Sequence, residues 1–142
     1  MAAFRRLQIY LDGCGLEHSL LELVKLRASQ LNGCAYCLDM HSKDALAAGE
    51  TPQRLMALSA WQETPFFSER ERAALAWTEA LTQIAGGVPD SLYATVQQVF
   101  DAKQLTELTL AVVAINGWNR LAISFRTPPG SYQPRRPAAP PA

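Results

Sequence analysis

Apolar residues recur every three or four positions through most of the chain, the spacing that places them on one face of an α-helix. No segment shows the alternation typical of a half-solvated β-strand. The sequence therefore predicts an all-α protein of about six to seven helices. The predicted helices lie at about residues 4–12, 18–31, 34–49, 52–61, 68–85, 89–100 and 102–125.

Start and stop signals support several of these boundaries. Pro52 is well placed at a first helical position, where its missing N–H costs no hydrogen bond. Ser68 and Glu71 have the spacing of a capping box. The pair Asn32-Gly33 is a helix break, so we expect the second and third helices to form an antiparallel hairpin.

The last 16 residues differ from the rest. Six of the nine prolines lie between residues 127 and 142, where they prevent a regular helix. We therefore expect a helical domain over residues 1–126 and a Pro/Ala-rich tail over residues 127–142. The tail is predicted to be either disordered or an arm that wraps a neighbouring subunit, with contacts from residues 130–132 and from Arg135 and Arg136.

Composition excludes several classes of protein. The 142 residues suit one domain, and 49% hydrophobic residues are too many for a disordered chain. Thirteen basic residues balance thirteen acidic ones, which argues against nucleic acid as a partner and gives no reason to expect an anionic membrane. Three cysteines are too few for a secreted disulfide scaffold.

No targeting or membrane segment is expected. The N-terminus has no uninterrupted apolar stretch of a signal peptide. The most apolar segment, residues 105–125, is interrupted by polar residues and is better interpreted as a buried helix than as a membrane span. A cytoplasmic location is therefore the default. In such a reducing compartment, two neighbouring cysteines more often have redox or metal-binding roles than a structural one.

The candidate chemistry lies between residues 22 and 41. Cys34 and Cys37 are three residues apart at a predicted helix start, where free N–H groups and the helix dipole favour a thiolate. His41 follows Cys37 by four residues and therefore shares its helix face, where it could accept the thiol proton. Glu22 lies on the preceding helix, where it could face His41 or Cys34, or pair with Lys25.

The array Glu-x11-Cys-x2-Cys-x3-His, with a break just before the first cysteine, resembles the core of the alkylhydroperoxidase AhpD family, within the carboxymuconolactone decarboxylase-like superfamily. The resemblance extends loosely over most of the chain before the tail. It implies an all-helical homo-oligomer, often a trimer or hexamer, without a cofactor. It also implies a peroxidase whose partners are a hydroperoxide substrate and an external dithiol reductant.

Transferred position by position, the resemblance makes Cys37 the peroxidatic cysteine and Cys34 the resolving cysteine. Glu22 and His41 would form the proton relay. The best-known members have a second histidine directly before the second cysteine, and this chain has Tyr36 there. Tyrosine is a poor base near neutral pH, so the relay is shorter here.

Other interpretations of the same residues remain open. Cys34, Cys37, His41 and Glu22 could bind zinc, although a second ligand pair is missing, or the cysteines could simply pack in the core. The chain could instead be a dithiol module with little peroxide turnover, or an acid/base enzyme acting on a small acid or lactone. Asn116, Asn119 and Arg120 are unusual in an apolar helix and could serve a buried network or a subunit interface. No metal or nucleotide, flavin or haem site is predicted.

Overall fold

The computed structural model describes residues 1–134, and within that range the chain forms seven α-helices and no β-strand. The all-α prediction is therefore confirmed. No helix in this range has both the length and the apolar character to cross a membrane. The helices are α1 (Ala2–Asp12), α2 (His18–Asn32), α3 (Ala35–Ala47), α4 (Pro52–Ala57), α5 (Glu69–Thr82), α6 (Asp90–Val99) and α7 (Ala102–Ser124).

Two predicted helices end earlier in the structure. The fourth ends at Ala57 and continues as 3₁₀ turns over Leu58–Glu63, interrupted by the non-helical backbone of Ala60. These turns bring Trp61 into the core, where its indole N–H donates to Glu79 Oε1 at 2.7 Å. The fifth ends at Thr82, and Ile84 lies exposed in a separate 3₁₀ turn. Helical periodicity did not distinguish these turns from α-helix.

Helix α2 lies at the centre of the fold and packs against α3, α5 and α7. Its buried side chains therefore surround the helix instead of forming a single stripe. One apolar cluster lies between α2 and helices α1, α5, α6 and α7, and a second lies between α2, α3, the 3₁₀ turns and α5. The second cluster includes residues of α3 and therefore positions this helix against α2.

The unusual polar residues of α7 form a hydrogen-bond network in which Asn116 and Asn119 are buried and Arg120 is exposed. Asn32 Nδ2 donates to the side-chain oxygens of Asn116 and Asn119 at 2.9 and 2.8 Å. Asn119 Nδ2 donates to Ser29 Oγ at 3.0 Å, and Arg120 donates to the Asn116 carbonyl. Every buried side-chain polar atom in residues 1–134 has a partner. The network joins the end of α2 to α7 directly before the cysteine pair.

The chain reverses direction after α7. The N–H groups of Arg126 and Thr127 bond the carbonyls of Ile123 and Ala122, which is the hydrogen-bond pattern of a Schellman motif. Arg126 has a φ of 53°, the left-handed conformation this motif requires. The following residues, to Pro134, return along α3. Residues 135–142, including Arg135 and Arg136, lie outside the described residues, so disorder or subunit wrapping of the tail stays a prediction.

Candidate active site

The cysteine pair lies at the tight turn between α2 and α3. Gly33 ends α2 with a φ of +69°, a conformation that glycine adopts without a steric penalty. Cys34 is the N-cap of α3, and its sulfur accepts a hydrogen bond from the Cys37 N–H at 3.3 Å. The two cysteines are joined as a disulfide, with Cα atoms 5.3 Å apart. The first turn of α3 thus brings their sulfurs together.

His41 and Glu22 meet across the α2–α3 hairpin. His41 Nδ1 lies 3.0 Å from Glu22 Oε2, and both side chains are buried. The other carboxylate oxygen, Oε1, accepts a hydrogen bond from Lys25 Nζ at 2.8 Å. Two of the three partners that the sequence offered Glu22, His41 and Lys25, therefore bind it simultaneously, whereas Cys34 does not, and the buried carboxylate is compensated by the Lys25 charge.

These contacts fix the charge of Glu22. Burial raises the pKa of this carboxyl, but the hydrogen bonds from His41 and Lys25 and their charges outweigh burial and lower the pKa to about 2. Near neutral pH, Glu22 is therefore a carboxylate, which only accepts hydrogen bonds. Because the carboxylate cannot donate, its hydrogen bond with His41 requires a proton on Nδ1, and the second ring nitrogen, Nε2, is not bonded to Glu22.

An open cavity of about 1240 Å³ lies beside this cluster. Cys37 and His41 line the cavity, whereas Cys34 does not. The two cysteines are equally buried, so the cavity distinguishes them where exposure does not. Apolar side chains from several parts of the chain form much of the wall: Ile9, Met40, Trp118, Leu121 and Phe125.

The cavity residues that were not predicted as part of the site include Asp44, Trp118 and Tyr132. Asp44 follows His41 by three residues, and helical spacing alone could have placed it there. Trp118 reaches the cavity from α7. Tyr132 belongs to the tail, and its hydroxyl donates to Asp44 Oδ1 at 2.7 Å. Nothing in the Pro-rich sequence around Tyr132 indicated this contact.

The side chains that the sequence offered as zinc ligands are disulfide-bonded or hydrogen-bonded in this structure. Both cysteines are in the disulfide, so neither offers a thiolate ligand. Ligand atoms of Glu22, His41 and Asp44 lie within 4.8 Å of one another. However, both Glu22 oxygens already accept hydrogen bonds, and Asp44 accepts the Tyr132 hydroxyl. Glu22 is thus bonded to His41 and Lys25, and Asp44 to Tyr132.

The remaining histidine and cysteine lie apart from this cluster. Cys14 is buried in the core near Leu11 and Leu16, and no other cysteine in residues 1–134 is joined to it. His18 is exposed at the start of α2, on the rim of the cavity. Trp61 and Trp77 are core residues, whereas Trp118 is half-buried at the cavity.

Comparison with known proteins identifies a family whose members this chain resembles. The model of the carboxymuconolactone decarboxylase family matches residues 1–80. The uncharacterized protein YdfG of Bacillus subtilis is 44% identical over 117 residues, which cover 82% of this chain and 80% of YdfG.

Solved structures show the same fold. ATU0492 of Agrobacterium tumefaciens is a protein of unknown function suggested to be an antioxidant defence protein AhpD. It is 41% identical, with a TM-score of 0.89 and coverage of 92% of this chain and 90% of its own. The debrominase Bmp8 is 21% identical with a TM-score of 0.83 over 92% of this chain and 70% of its own, a likeness of fold alone.

Proposed function

Because the chain belongs to the carboxymuconolactone decarboxylase family, we propose that its site is that of a thiol-dependent hydroperoxide reductase. The observation that carries the proposal is the placement of Cys37. This cysteine lines the cavity together with His41, is joined to Cys34 as a disulfide, and has a buried carboxylate–histidine pair beside it. The likeness to ATU0492, suggested to be an AhpD, supports the same chemistry.

In the first step, the reduced Cys37 loses its thiol proton to Nε2 of His41. Glu22, which holds the Nδ1 proton, stabilises the resulting imidazolium. The thiolate attacks the terminal oxygen of the hydroperoxide, the O–O bond breaks, and Cys37 becomes a sulfenic acid. The proton on His41 passes to the departing alkoxide, which leaves as an alcohol, or as water when the substrate is hydrogen peroxide.

In the second step, the Cys34 thiol attacks the sulfur of the sulfenic acid. The S–S bond forms, the S–O bond breaks, and water leaves with the thiol proton. The position of Cys34 suits this role, because its sulfur already lies against the backbone N–H of Cys37 at the N-cap. An external dithiol then reduces the disulfide by exchange and is itself oxidised to a disulfide.

We further propose that the protein acts as a homo-oligomer, a trimer or hexamer by resemblance, with the cavity near the subunit contact. Two large apolar residues of the cavity wall, Ile9 and Phe125, are 71% and 79% exposed in the single chain. Exposed apolar patches next to a site are typical of interaction surfaces. Sedimentation of the purified protein at micromolar concentration tests this: a monomer contradicts the assembly.

The direct test is consumption of an alkyl hydroperoxide in the presence of a dithiol reductant. We expect turnover by the wild type, none by Cys37→Ser, and a trappable sulfenic acid at Cys37 in Cys34→Ser. Cys14→Ser is the matched control, since Cys14 lies in the core outside the cavity, and it should retain turnover. Unchanged turnover in Cys37→Ser would overturn the assignment.

The same assay separates the alternative functions. Reversible Cys34–Cys37 oxidation without peroxide turnover would indicate a dithiol redox module instead. Activity on a lactone that survives replacement of both cysteines would indicate acid/base chemistry, which does not need them. Stoichiometric zinc in the reduced protein would refute the dithiol mechanism.

A further inference from the structure

Residues 127–134 return from the end of α7 to the cavity and cross beside α3. Thr127, Tyr132 and Pro134 line the cavity together with Cys37. The Schellman motif at Arg126 directs the chain this way, and a left-handed conformation at a residue other than glycine is uncommon. We call residues 127–134 the strap.

Three neighbouring side chains of α3 hold the strap. Asp39 Oδ2 accepts the Gly130 N–H at 3.0 Å. Lys43 Nζ donates to the carbonyl oxygens of Gly130 and Tyr132 at 3.4 and 3.1 Å. Asp44 accepts the Tyr132 hydroxyl at 2.7 Å. Helical spacing places these three residues on the face of α3 that meets the strap, so backbone and side chain are both anchored.

Gly130 makes this docking possible. Its φ of +104° belongs to a backbone conformation that side chains disfavour, and a Cβ there would meet no atom within 4 Å. Glycine is therefore favoured at this position by the backbone conformation, and not by a lack of space for a side chain. The turn at Gly130 presents its N–H to Asp39 and its carbonyl to Lys43.

The Tyr132 hydroxyl is a permanent donor under physiological conditions. Burial, the hydrogen bond to Asp44 and the negative charges of Asp44 and Glu22 raise the pKa of Tyr132 to about 12. The phenol therefore stays protonated near neutral pH and its bond to the Asp44 carboxylate persists. Hydrogen bonds to charged acceptors are stronger than neutral ones.

We propose that the strap closes one side of the Cys37 cavity, and that Tyr132, anchored on Asp44, limits the size of the molecule that reaches Cys37. This inference rests on the proposed function for its substrate, a hydroperoxide. It assigns Tyr132 a specificity-determining role in which the ring forms the wall and the hydroxyl holds the wall in place. Small peroxides pass the strap, whereas bulky organic hydroperoxides require it to open.

The first experiment needs no peroxide, so its outcome is independent of the peroxidase proposal. The reduced protein is alkylated with iodoacetamide, a small reagent, and with fluorescein maleimide, a bulky one, and labelling of Cys37 is followed by mass spectrometry. In Tyr132→Phe we expect bulky labelling to accelerate about tenfold or more, the effect of losing one hydrogen bond to a charged group. Iodoacetamide labelling should change less than twofold.

Control variants distinguish release of the strap from a general loosening of the protein around Cys37. Ser131→Ala changes an exposed strap residue and should label like the wild type. Lys43→Ala removes the anchors of the Gly130 and Tyr132 carbonyls and should reproduce the Tyr132→Phe result, which keeps the test available if either variant folds poorly. Equal acceleration of both reagents, or no acceleration of either in both variants, overturns the proposal.

A second experiment applies if turnover is found. The ratio of kcat/KM for cumene hydroperoxide to that for hydrogen peroxide should rise in Tyr132→Phe, mainly through a lower KM for the bulky substrate. A parallel fall in kcat for both peroxides would instead indicate damage to the relay and would contradict a specificity role.

Discussion

Replacement of Glu22 by glutamine tests the electrostatic design of the site most directly. The substitution retains the shape of the side chain but removes its charge. His41 loses the negative charge beside its Nδ1 proton, and Lys25, which is largely buried, loses its counter-ion. Both effects follow from the replacement of one carboxylate oxygen by an NH2 group, so we expect little disturbance of the fold around position 22.

The magnitude follows from the pKa of Glu22. The folded protein lowers this pKa from 4.5 to about 2. At about 1.4 kcal/mol for each pKa unit, the ionised side chain contributes about 3 kcal/mol to stability at neutral pH. Because the folded pKa lies below the unfolded one, the contribution is complete above pH 4.5 and is lost as the pH falls toward 2.

The assay is urea unfolding of the oxidised wild type and Glu22→Gln between pH 7 and pH 2. We expect Glu22→Gln to be the less stable protein at pH 7. The gap in free energy of unfolding should then narrow by about 3 kcal/mol between pH 5 and pH 2, since protonation removes the same charge from the wild type. Exposed Glu63→Gln, the matched control, should show no such convergence. A gap that stays constant through this window would refute the reasoning.

Four further outcomes test the fold and the site by urea unfolding or by activity. Leu75→Ala should lower the free energy of unfolding by about 2–5 kcal/mol, since Leu75 is fully buried and leaves a cavity. Asn119→Ala should lower the free energy of unfolding by about 1–3 kcal/mol, because the side chains of Ser29 and Asn32 lose a hydrogen-bond partner. The exposed control Gln98→Ala should lower it little, and equal effects of the two substitutions would contradict the network. Ser68→Ala should cost about 1 kcal/mol by removing the cap of α5, and an unchanged stability would argue against that cap. If the proposed relay operates, His41→Ala should lower peroxide turnover about 100-fold or more, the usual contribution of a general base, and near-normal turnover would exclude this role.

Local patterns determined most of the helical structure. The capping pairs and the break at Asn32-Gly33 act within a few residues, so the starts of α3, α4 and α5 could be predicted closely. The spacing of Cys34, Cys37 and His41 is likewise a property of a single helix, and the structure retains it. The turns after Ala57 could not be predicted, because the contact of Trp61 with Glu79 is made between distant segments.

Long-range packing decided what the cysteine array can do. Sequence placed Glu22 on the preceding helix, but only the packing of α2 on α3 brought its carboxylate to His41 and fixed the imidazole proton. In the structure, Cys37 lines the cavity and Cys34 does not, and only the reversal after α7 brought Tyr132 to Asp44. The chain by itself thus determined its helices and the order of its reactive groups, because these depend on neighbours in sequence. Which groups touch was decided by the tertiary structure, because burial and contact depend on segments far apart in the chain, such as Asp44 and Tyr132, which are 88 residues apart.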